Sequence, residues 1–235
     1  MRDFYANPGR GELSGAREAR ATRFHMTMPG YAPTRLAPAP ETAASLGLER
    51  LSVKLEVERF GLPSFKILGA SWATCRALSR HAGLDEPVPT FGRLQSLAQR
   101  LGDLTLVAAT DGNHGRAVAR MARLLGLRAR IFVPDDMAVA RVDALAGEGA
   151  EVTIVHGDYD DAVAASAAMA SGDALVISDT SWPGYRDVPG WVADGYGTIY
   201  VLYPQYLGVP GCPSCPSSAC SGTTCGCPRR TSAST

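Results

Sequence analysis

The 235-residue sequence has no long apolar segment and no excess of charge of either sign. No run approaches the roughly 18 apolar residues that a membrane-spanning helix needs. Residues 1–25 are polar and contain no apolar centre of the kind that a secretory signal peptide requires. Lysine plus arginine and aspartate plus glutamate number 23 each, so no global field favours nucleic acid or an anionic membrane as a partner. We therefore expect a cytoplasmic protein.

Cysteine is almost absent from the first 211 residues and abundant after them. Cys75 is the only cysteine in that long segment. The remaining residues hold five: Cys212, Cys215, Cys220, Cys225 and Cys227. One interpretation is a zinc module built on Cys212 and Cys215, but the spacing of the other cysteines matches no common zinc pattern. The alternative is that the gene is read in a different frame over this tail.

Apolar strands alternate with helices through the middle of the chain. The spacing predicts helices over residues 91–101, 115–125, 139–146 and 159–170, and strands over 104–109, 129–133, 152–155 and 174–177. Continuous apolar strands separated by helices of this length indicate β-α-β units and a parallel sheet that is covered on both faces. The predicted fold class is α/β with three layers.

The N-terminal part has weaker patterns. Residues 1–50 are expected to form loops with short helical pieces. Residues 51–57 alternate strictly between apolar and polar, which predicts a half-buried strand with its odd-numbered side chains inside. A glycine and a proline follow, and Ser64 is expected to cap a helix that begins near Phe65.

Polar side chains follow the first and the last of the four predicted central strands. Asp111, Asn113 and His114 come after the first, and Asp179 after the last. Because ligands of open parallel sheets sit outside the carboxyl ends of the strands, these residues are candidates for one site, with two carboxylates for acid–base work. The alternatives are a tight turn in which Asp111 caps the next helix, and a purely structural role for His114.

Lys66 lies at the predicted helix start, between two apolar residues. A lysine that forms a Schiff base must be partly desolvated, so that its amine loses its proton near neutral pH. The position of Lys66 is compatible with that requirement. A solvated lysine at an exposed helix start is the alternative.

Three segments together resemble the pyridoxal-phosphate enzymes of fold type II, the tryptophan-synthase-β superfamily, and within them the diaminopropionate ammonia-lyases. Residues 64–70 (SFKILGA) match the cofactor-lysine motif, and residues 110–119 (TDGNHGRAVA) match the asparagine loop beneath the cofactor ring. Residues 178–185 (SDTSWPGY) match a block typical of the ammonia-lyases. Serine and threonine dehydratases usually carry a serine in place of Asp111. The resemblance covers about residues 20–200.

The resemblance implies a carbon–nitrogen lyase that uses pyridoxal 5′-phosphate to convert 2,3-diaminopropionate to pyruvate and ammonia. Lys66 would carry the cofactor as a Schiff base and, once freed, take the α-proton from one face of the substrate, while Asp111 acts from the other. Asp179, with Asp111, would bind the β-ammonium group as it leaves. The alternatives are a serine/threonine dehydratase-like lyase and a non-catalytic fragment.

The resemblance also implies the residues that touch the cofactor. Asn113 would bond its phenolic oxygen, with Gly112 and His114 beside it. No metal is expected. The partners would be a small amino-acid substrate and, as in the family, a second copy of the chain.

The implied domains are residues 1–79 as part of a large cofactor domain, 80–190 as a small α/β domain and 191–205 as the start of the large-domain remainder. Residues 206–235 are expected to be a disordered Cys/Pro/Ser-rich tail. The glycine-rich loop that holds the cofactor phosphate would follow residue 200, and nothing there resembles it. We favour a frameshift near that point and expect the chain as given to be impaired.

Overall fold

The computed structural model of the protein describes residues 15–201. The predicted tail at 206–235 and the alternative zinc module at Cys212 and Cys215 lie outside these residues. Among the described helices, none combines the length and the apolar content that crossing a membrane would take.

Helices and strands alternate through most of the described chain. In order, they are α1 (Gly15–His25), β1 (Leu36–Pro38), α2 (Pro40–Ser45), β2 (Ser52–Lys54), α3 (Lys66–His81), α4 (Phe91–Leu101), β3 (Thr105–Ala109), α5 (Asn113–Leu125), β4 (Arg128–Pro134), α6 (Val139–Ala146), β5 (Glu151–Val155), α7 (Tyr159–Ala167), β6 (Ala174–Val176), α8 (Asp187–Tyr196) and α9 (Thr198–Val201).

Four of the strands form one parallel sheet in the order β5-β4-β3-β6. Helix α5 packs against β3 and β4 on one face, and α7 packs against β3, β4 and β5 on the other. The predicted three-layer α/β arrangement is thus confirmed. This arrangement explains why the strands are largely apolar, because a strand covered on both faces buries every side chain.

Strand β3 shows how the two faces are filled. Leu106 and Ala108 belong to the apolar cluster on the α5 side, whereas Val107 and Ala109 belong to the cluster on the α7 side. All four are fully buried. Burial of a Leu or Val side chain of this kind stabilises the fold by about 1.5–3 kcal/mol, so β3 is the centre of the core.

The helix boundaries largely agree with the sequence pattern. Helices α4 and α6 have the predicted bounds, while α5 begins two residues before the predicted start and α7 ends three residues before the predicted end. Gly126 ends α5 with φ at 72°, in the left-handed region that favours glycine. Because a glycine of this kind acts within a few residues, it allows the end of a helix to be predicted from the sequence.

The predicted strand over residues 51–57 is wrong in both extent and orientation. Only Ser52–Lys54 is a strand, paired antiparallel with β1. Val57 is 64% exposed, whereas the side chains of Lys54 and Glu56 are 10% exposed. The reason is the buried Arg59, whose Nη2 donates to Glu56 Oε1 at 2.7 Å. A charged cluster that is paired and hydrogen-bonded can be buried. The alternation of apolar and polar residues therefore predicted the wrong buried face.

Helices α3 and α8 approach each other unusually closely at two glycines. A Cβ atom on Gly195 would lie 2.4 Å from the Leu68 carbonyl oxygen, and a Cβ on Gly69 would lie 2.6 Å from Tyr196 Cε1. Both positions therefore require glycine. The crossing places the end of α8 against the start of α3. The domain boundaries at residues 79 and 190 fall near the end of α3 and inside α8, and they stay a prediction.

His25 fastens α1 to this crossing. Its ring is fully buried, with Nδ1 2.7 Å from Thr198 Oγ1 and Nε2 3.0 Å from the carbonyl oxygen of Leu68. Burial lowers the pKa of His25 to about 3, against a smaller opposite effect of the Leu68 carbonyl. The folded protein therefore holds His25 neutral, with one ring nitrogen for each partner.

We expect His25 to make stability depend on pH below neutrality. The unfolded chain binds a proton at a pKa near 6.5, and the folded chain does so only near 3. The stabilisation is therefore complete above pH 6.5 and is lost as the pH falls, by about 1.5 kcal/mol between pH 6.5 and 5. Urea unfolding of the His25→Gln variant should show a free energy of unfolding that declines less steeply by this amount. The exposed His81→Gln variant should keep the original slope, and equal slopes for all three proteins would contradict the role of His25.

Candidate active site

The parallel pairing of β3 with β6 brings two loops together at the carboxyl edge of the sheet. His114 follows β3 and Asp179 follows β6, and His114 Nδ1 lies 3.6 Å from Asp179 Oδ2. Since both loops leave adjacent strands at the same edge, the predicted proximity of these side chains is a consequence of the sheet order.

Lys66 reaches this edge from a different part of the fold. It is the first residue of α3, and its backbone N–H donates to Ser64 Oγ at 3.3 Å. The helix thus begins one residue later than predicted, with Phe65 at the N-cap position. Lys66 Nζ donates to Asp179 Oδ2 at 2.8 Å. The structure therefore joins the predicted cofactor lysine to one of the two predicted carboxylates.

The ion pair keeps the Lys66 amine charged. Burial alone would lower the pKa of Lys66, but the hydrogen bond to Asp179 and the influence of Tyr196 outweigh it and raise that pKa above the ordinary lysine value. Burial likewise would raise the pKa of Asp179, yet the charge that His114 carries when it is protonated and the hydrogen bond and charge of Lys66 outweigh burial and hold that pKa below its usual range. In this arrangement the carboxylate stabilises the ammonium form of Lys66.

His114 is buried and neutral. Burial lowers its pKa despite the nearby Asp179 charge. We assign the proton to Nε2, which then donates to the Ile177 carbonyl oxygen at 2.7 Å. Nδ1 has no hydrogen-bond partner among residues 15–201. His114 thus has the structural hydrogen bond that one interpretation expected, and it also presents a free acceptor near Asp179.

The Asp111–Gly112 segment forms the tight turn that its sequence suggests, but another residue holds it. Thr110 Oγ1 accepts hydrogen bonds from the backbone N–H groups of Gly112 at 2.9 Å and Gly115 at 3.0 Å. Gly112 has φ at 145° and is the N-cap of α5. The Asp111 carboxylate therefore caps nothing, and its carbonyl oxygen accepts from Arg141 Nη1 at 2.8 Å.

A cleft of about 340 Å³ opens beside this turn. It is lined by Pro63, Asp111, Gly112, Asn113, Arg116, Ala140, Arg141 and Ala144. Asp111 and Asn113 are exposed. The predicted site residues thus fall into two groups. Lys66 and His114 both lie close to Asp179, and Asp111, Gly112 and Asn113 line the cleft.

Tyrosine hydroxyls near the edge were missed by sequence reasoning. Tyr185 Oη donates to the Val176 carbonyl oxygen at 2.7 Å and accepts from the Ser178 N–H at 3.1 Å, and so fastens the loop that carries Asp179. Burial raises the pKa of Tyr185 to about 12. Tyr159 Oη lies 3.0 Å from Thr180 Oγ1 in the same loop. No spacing rule links these residues, since their contacts depend on the folded chain.

The residues at this edge fit pyridoxal phosphate. The Lys66 side chain is 31% exposed, so an aldehyde can reach its amine. His114 Nδ1 and Tyr196 Oη are buried polar atoms without partners in the described part of the chain. By contrast, no cluster of three or more His, Cys, Asp or Glu side chains within residues 15–201 is placed to hold a metal ion. The donor set therefore suits an aldehyde cofactor.

Comparison with known proteins gives the same cofactor class. The family model described as "Pyridoxal-phosphate dependent enzyme" matches residues 27–215. This match runs somewhat past residue 200, near which we expect the resemblance to end. Diaminopropionate ammonia-lyase of Escherichia coli K12 is 38% identical over 181 residues, which cover 76% of this chain and 45% of that protein.

Solved structures of the E. coli enzyme have the same fold as the described chain. The apo form matches with a TM-score of 0.75 and 36% identity, over 83% of this chain and 54% of that one. The complex with D-serine matches with a TM-score of 0.74 and 36% identity, over 83% of this chain and 50% of that one. The chain spans about half the length of these relatives. Since the family model covers most of its length, this chain belongs to the pyridoxal-phosphate-dependent enzymes.

Proposed function

We propose that this site carries pyridoxal 5′-phosphate on Lys66 and eliminates ammonia from 2,3-diaminopropionate. With one water consumed, the products are pyruvate and two molecules of ammonia. The observation that carries the proposal is the 2.8 Å ion pair between Lys66 and Asp179 at the carboxyl edge of the sheet. The likeness to a diaminopropionate ammonia-lyase supports the choice of substrate.

When bound, the cofactor supplies an electron sink that makes the α-proton of an amino acid removable. The Lys66 amine must first lose a proton to react with an aldehyde. Asp179 Oδ2 is the hydrogen-bonded acceptor, and the unprotonated Nδ1 of His114 lies 3.6 Å from that oxygen. These two groups can therefore take up the lysine proton without releasing it to water.

The two carboxylates suit a cationic leaving group. Asp179 is part-buried next to Lys66, and Asp111 lines the adjoining cleft. Once the lysine proton has passed from Asp179 to His114 Nδ1, both carboxylates are charged and available to the β-ammonium group of the substrate. A serine hydroxyl carries no charge and would gain less from them. This favours diaminopropionate over serine.

The cofactor contacts form part of the same proposal. Asn113 lines the cleft with an exposed side chain and would bond the phenolic oxygen of the cofactor, and Gly112 would let the turn approach it. His114 would contact the cofactor through its free Nδ1. We also propose the division into residues 1–79, 80–190 and 191–205, and a homodimer as the assembly.

We expect pyridoxal phosphate to label Lys66 selectively. The chain has two lysines, Lys54 and Lys66. Burial lowers the pKa of Lys54, whereas that of Lys66 is raised, so protonation alone would favour reaction at Lys54. Selective modification of Lys66 after borohydride reduction, by about tenfold or more over Lys54 in peptide mapping, would therefore not be a consequence of basicity.

Two variants complete this experiment. Lys66→Arg should abolish the pyridoxyl label, and Lys54→Arg should leave it unchanged. A label on Lys54 or the α-amine, in protein shown to be folded, would contradict the role of Lys66. Absence of any label would favour the non-catalytic alternative.

In a chain extended to the full length of its relatives, we expect the site to release pyruvate from 2,3-diaminopropionate faster than pyruvate from serine or 2-oxobutyrate from threonine. Replacement of Asp111 by serine should reduce turnover of diaminopropionate about tenfold to hundredfold, since a charged hydrogen bond of about 1.5–3 kcal/mol is lost. The control is Asp103→Ser, which changes an exposed carboxylate before β3, at the opposite edge of the sheet. Faster turnover of serine by the extended chain without a substitution would establish the dehydratase-like alternative and leave Asp111 as a turn residue.

A further inference from the structure

The crossing of α3 and α8 places one more side chain, that of Tyr196, close to Lys66. Gly69 lies one turn after Lys66, and Tyr196 is the last residue of α8. The absence of a Cβ at Gly69 leaves room for the Tyr196 ring, whose Cε1 would lie only 2.6 Å from such an atom. The ring therefore occupies space that this glycine provides.

The Tyr196 ring and Phe65 enclose the lysine side chain. The two rings meet edge to face, with centroids 5.0 Å apart. Lys66 Nζ lies 5.6 Å from the Tyr196 centroid and 5.9 Å from the Phe65 centroid. An ammonium group at this range from an aromatic ring is attracted to it, so the two rings restrict where the amine can lie.

The Tyr196 hydroxyl is buried and makes no hydrogen bond with any residue that the structure describes. A buried hydroxyl without a partner costs about 1–3 kcal/mol, and a phenylalanine would pack in the same space without that cost. The ring alone therefore does not account for a tyrosine at this position. The hydroxyl needs a partner, and the Lys66 amine is the mobile polar group beside it.

We propose that Tyr196 is a positioning residue for Lys66, with its ring packed along the side chain and its hydroxyl as the second hydrogen-bonding partner of the amine. The inference rests on the proposed role of Lys66 as the cofactor lysine. A carboxylate can only accept hydrogen bonds, so Asp179 holds the amine in its protonated form. A phenol both donates and accepts. Tyr196 can thus hold the amine after the proton has moved to Asp179.

Several groups influence the Lys66 amine, and the test must separate them. Asp179 lies in the loop after β6, His114 on α5, Tyr159 on α7 and Tyr196 on α8. The first three are unchanged when Tyr196 loses only its hydroxyl. Burial opposes the charged amine, and Asp179 and Tyr196 both raise the pKa of Lys66. Removal of the Tyr196 oxygen should therefore lower that pKa.

The experiment is trace acetylation of the cofactor-free chain with acetic anhydride between pH 7 and 11, read at Lys66 and Lys54 by mass spectrometry. In Tyr196→Phe, Lys66 should react about threefold faster relative to Lys54 at pH 9, because a lower pKa leaves more of the amine unprotonated. Thermal unfolding should show that this variant remains folded, so that the faster reaction at Lys66 reports the lost hydroxyl.

The matched control is Tyr31→Phe. The Tyr31 hydroxyl is also buried and has no partner among the described residues, but its ring packs against Phe60, with centroids 6.0 Å apart. This variant should leave the Lys66 to Lys54 ratio unchanged. An unchanged ratio in folded Tyr196→Phe, or an equal change in Tyr31→Phe, would overturn the proposal. Because no cofactor is used, this result is independent of whether pyridoxal phosphate labels Lys66.

Discussion

The ion pair between Lys66 and Asp179 joins two distant segments of the chain at the candidate site. The residues lie 113 positions apart in the chain, one at the start of α3 and the other in the loop after β6. The pair forms because α3 packs against α5 and α8 at the same edge of the sheet where the β6 loop ends. The glycine crossing of α3 with α8 and the His25 bond to Leu68 both hold α3 in that position.

The same ion pair places a chemical constraint on the site. A carboxylate that holds a lysine in position also stabilises its proton, whereas reaction with an aldehyde requires the neutral amine. The structure provides groups that can relieve this conflict, because His114 is neutral near Asp179 and the Tyr196 hydroxyl can bond either form of the amine. Positioning and activation of Lys66 are thus assigned to different neighbours.

The central α/β arrangement could be predicted because its signals are local. Helix periodicity, apolar strands and glycine stop signals such as Gly126 act within a few residues. The strand over residues 51–57 could not be predicted in the same way. Its charged residues are buried because Arg59, three residues after Glu56, and Thr34, 20 residues before Lys54, form hydrogen bonds with them. Hydrogen-bonded charge inside a fold leaves no periodic signal.

The sequence by itself determined the order of strands and helices, the turn at Asp111 and Gly112, and the identity of the lysine and the carboxylates at the strand ends. These depend on residue type and short spacing. Only the tertiary structure decided that Asp179 rather than Asp111 pairs with Lys66, that the amine is charged and that Tyr196 lies against it. The physical reason is that a protonation state and a contact depend on neighbours brought together from distant segments, through burial and charge that no local pattern records.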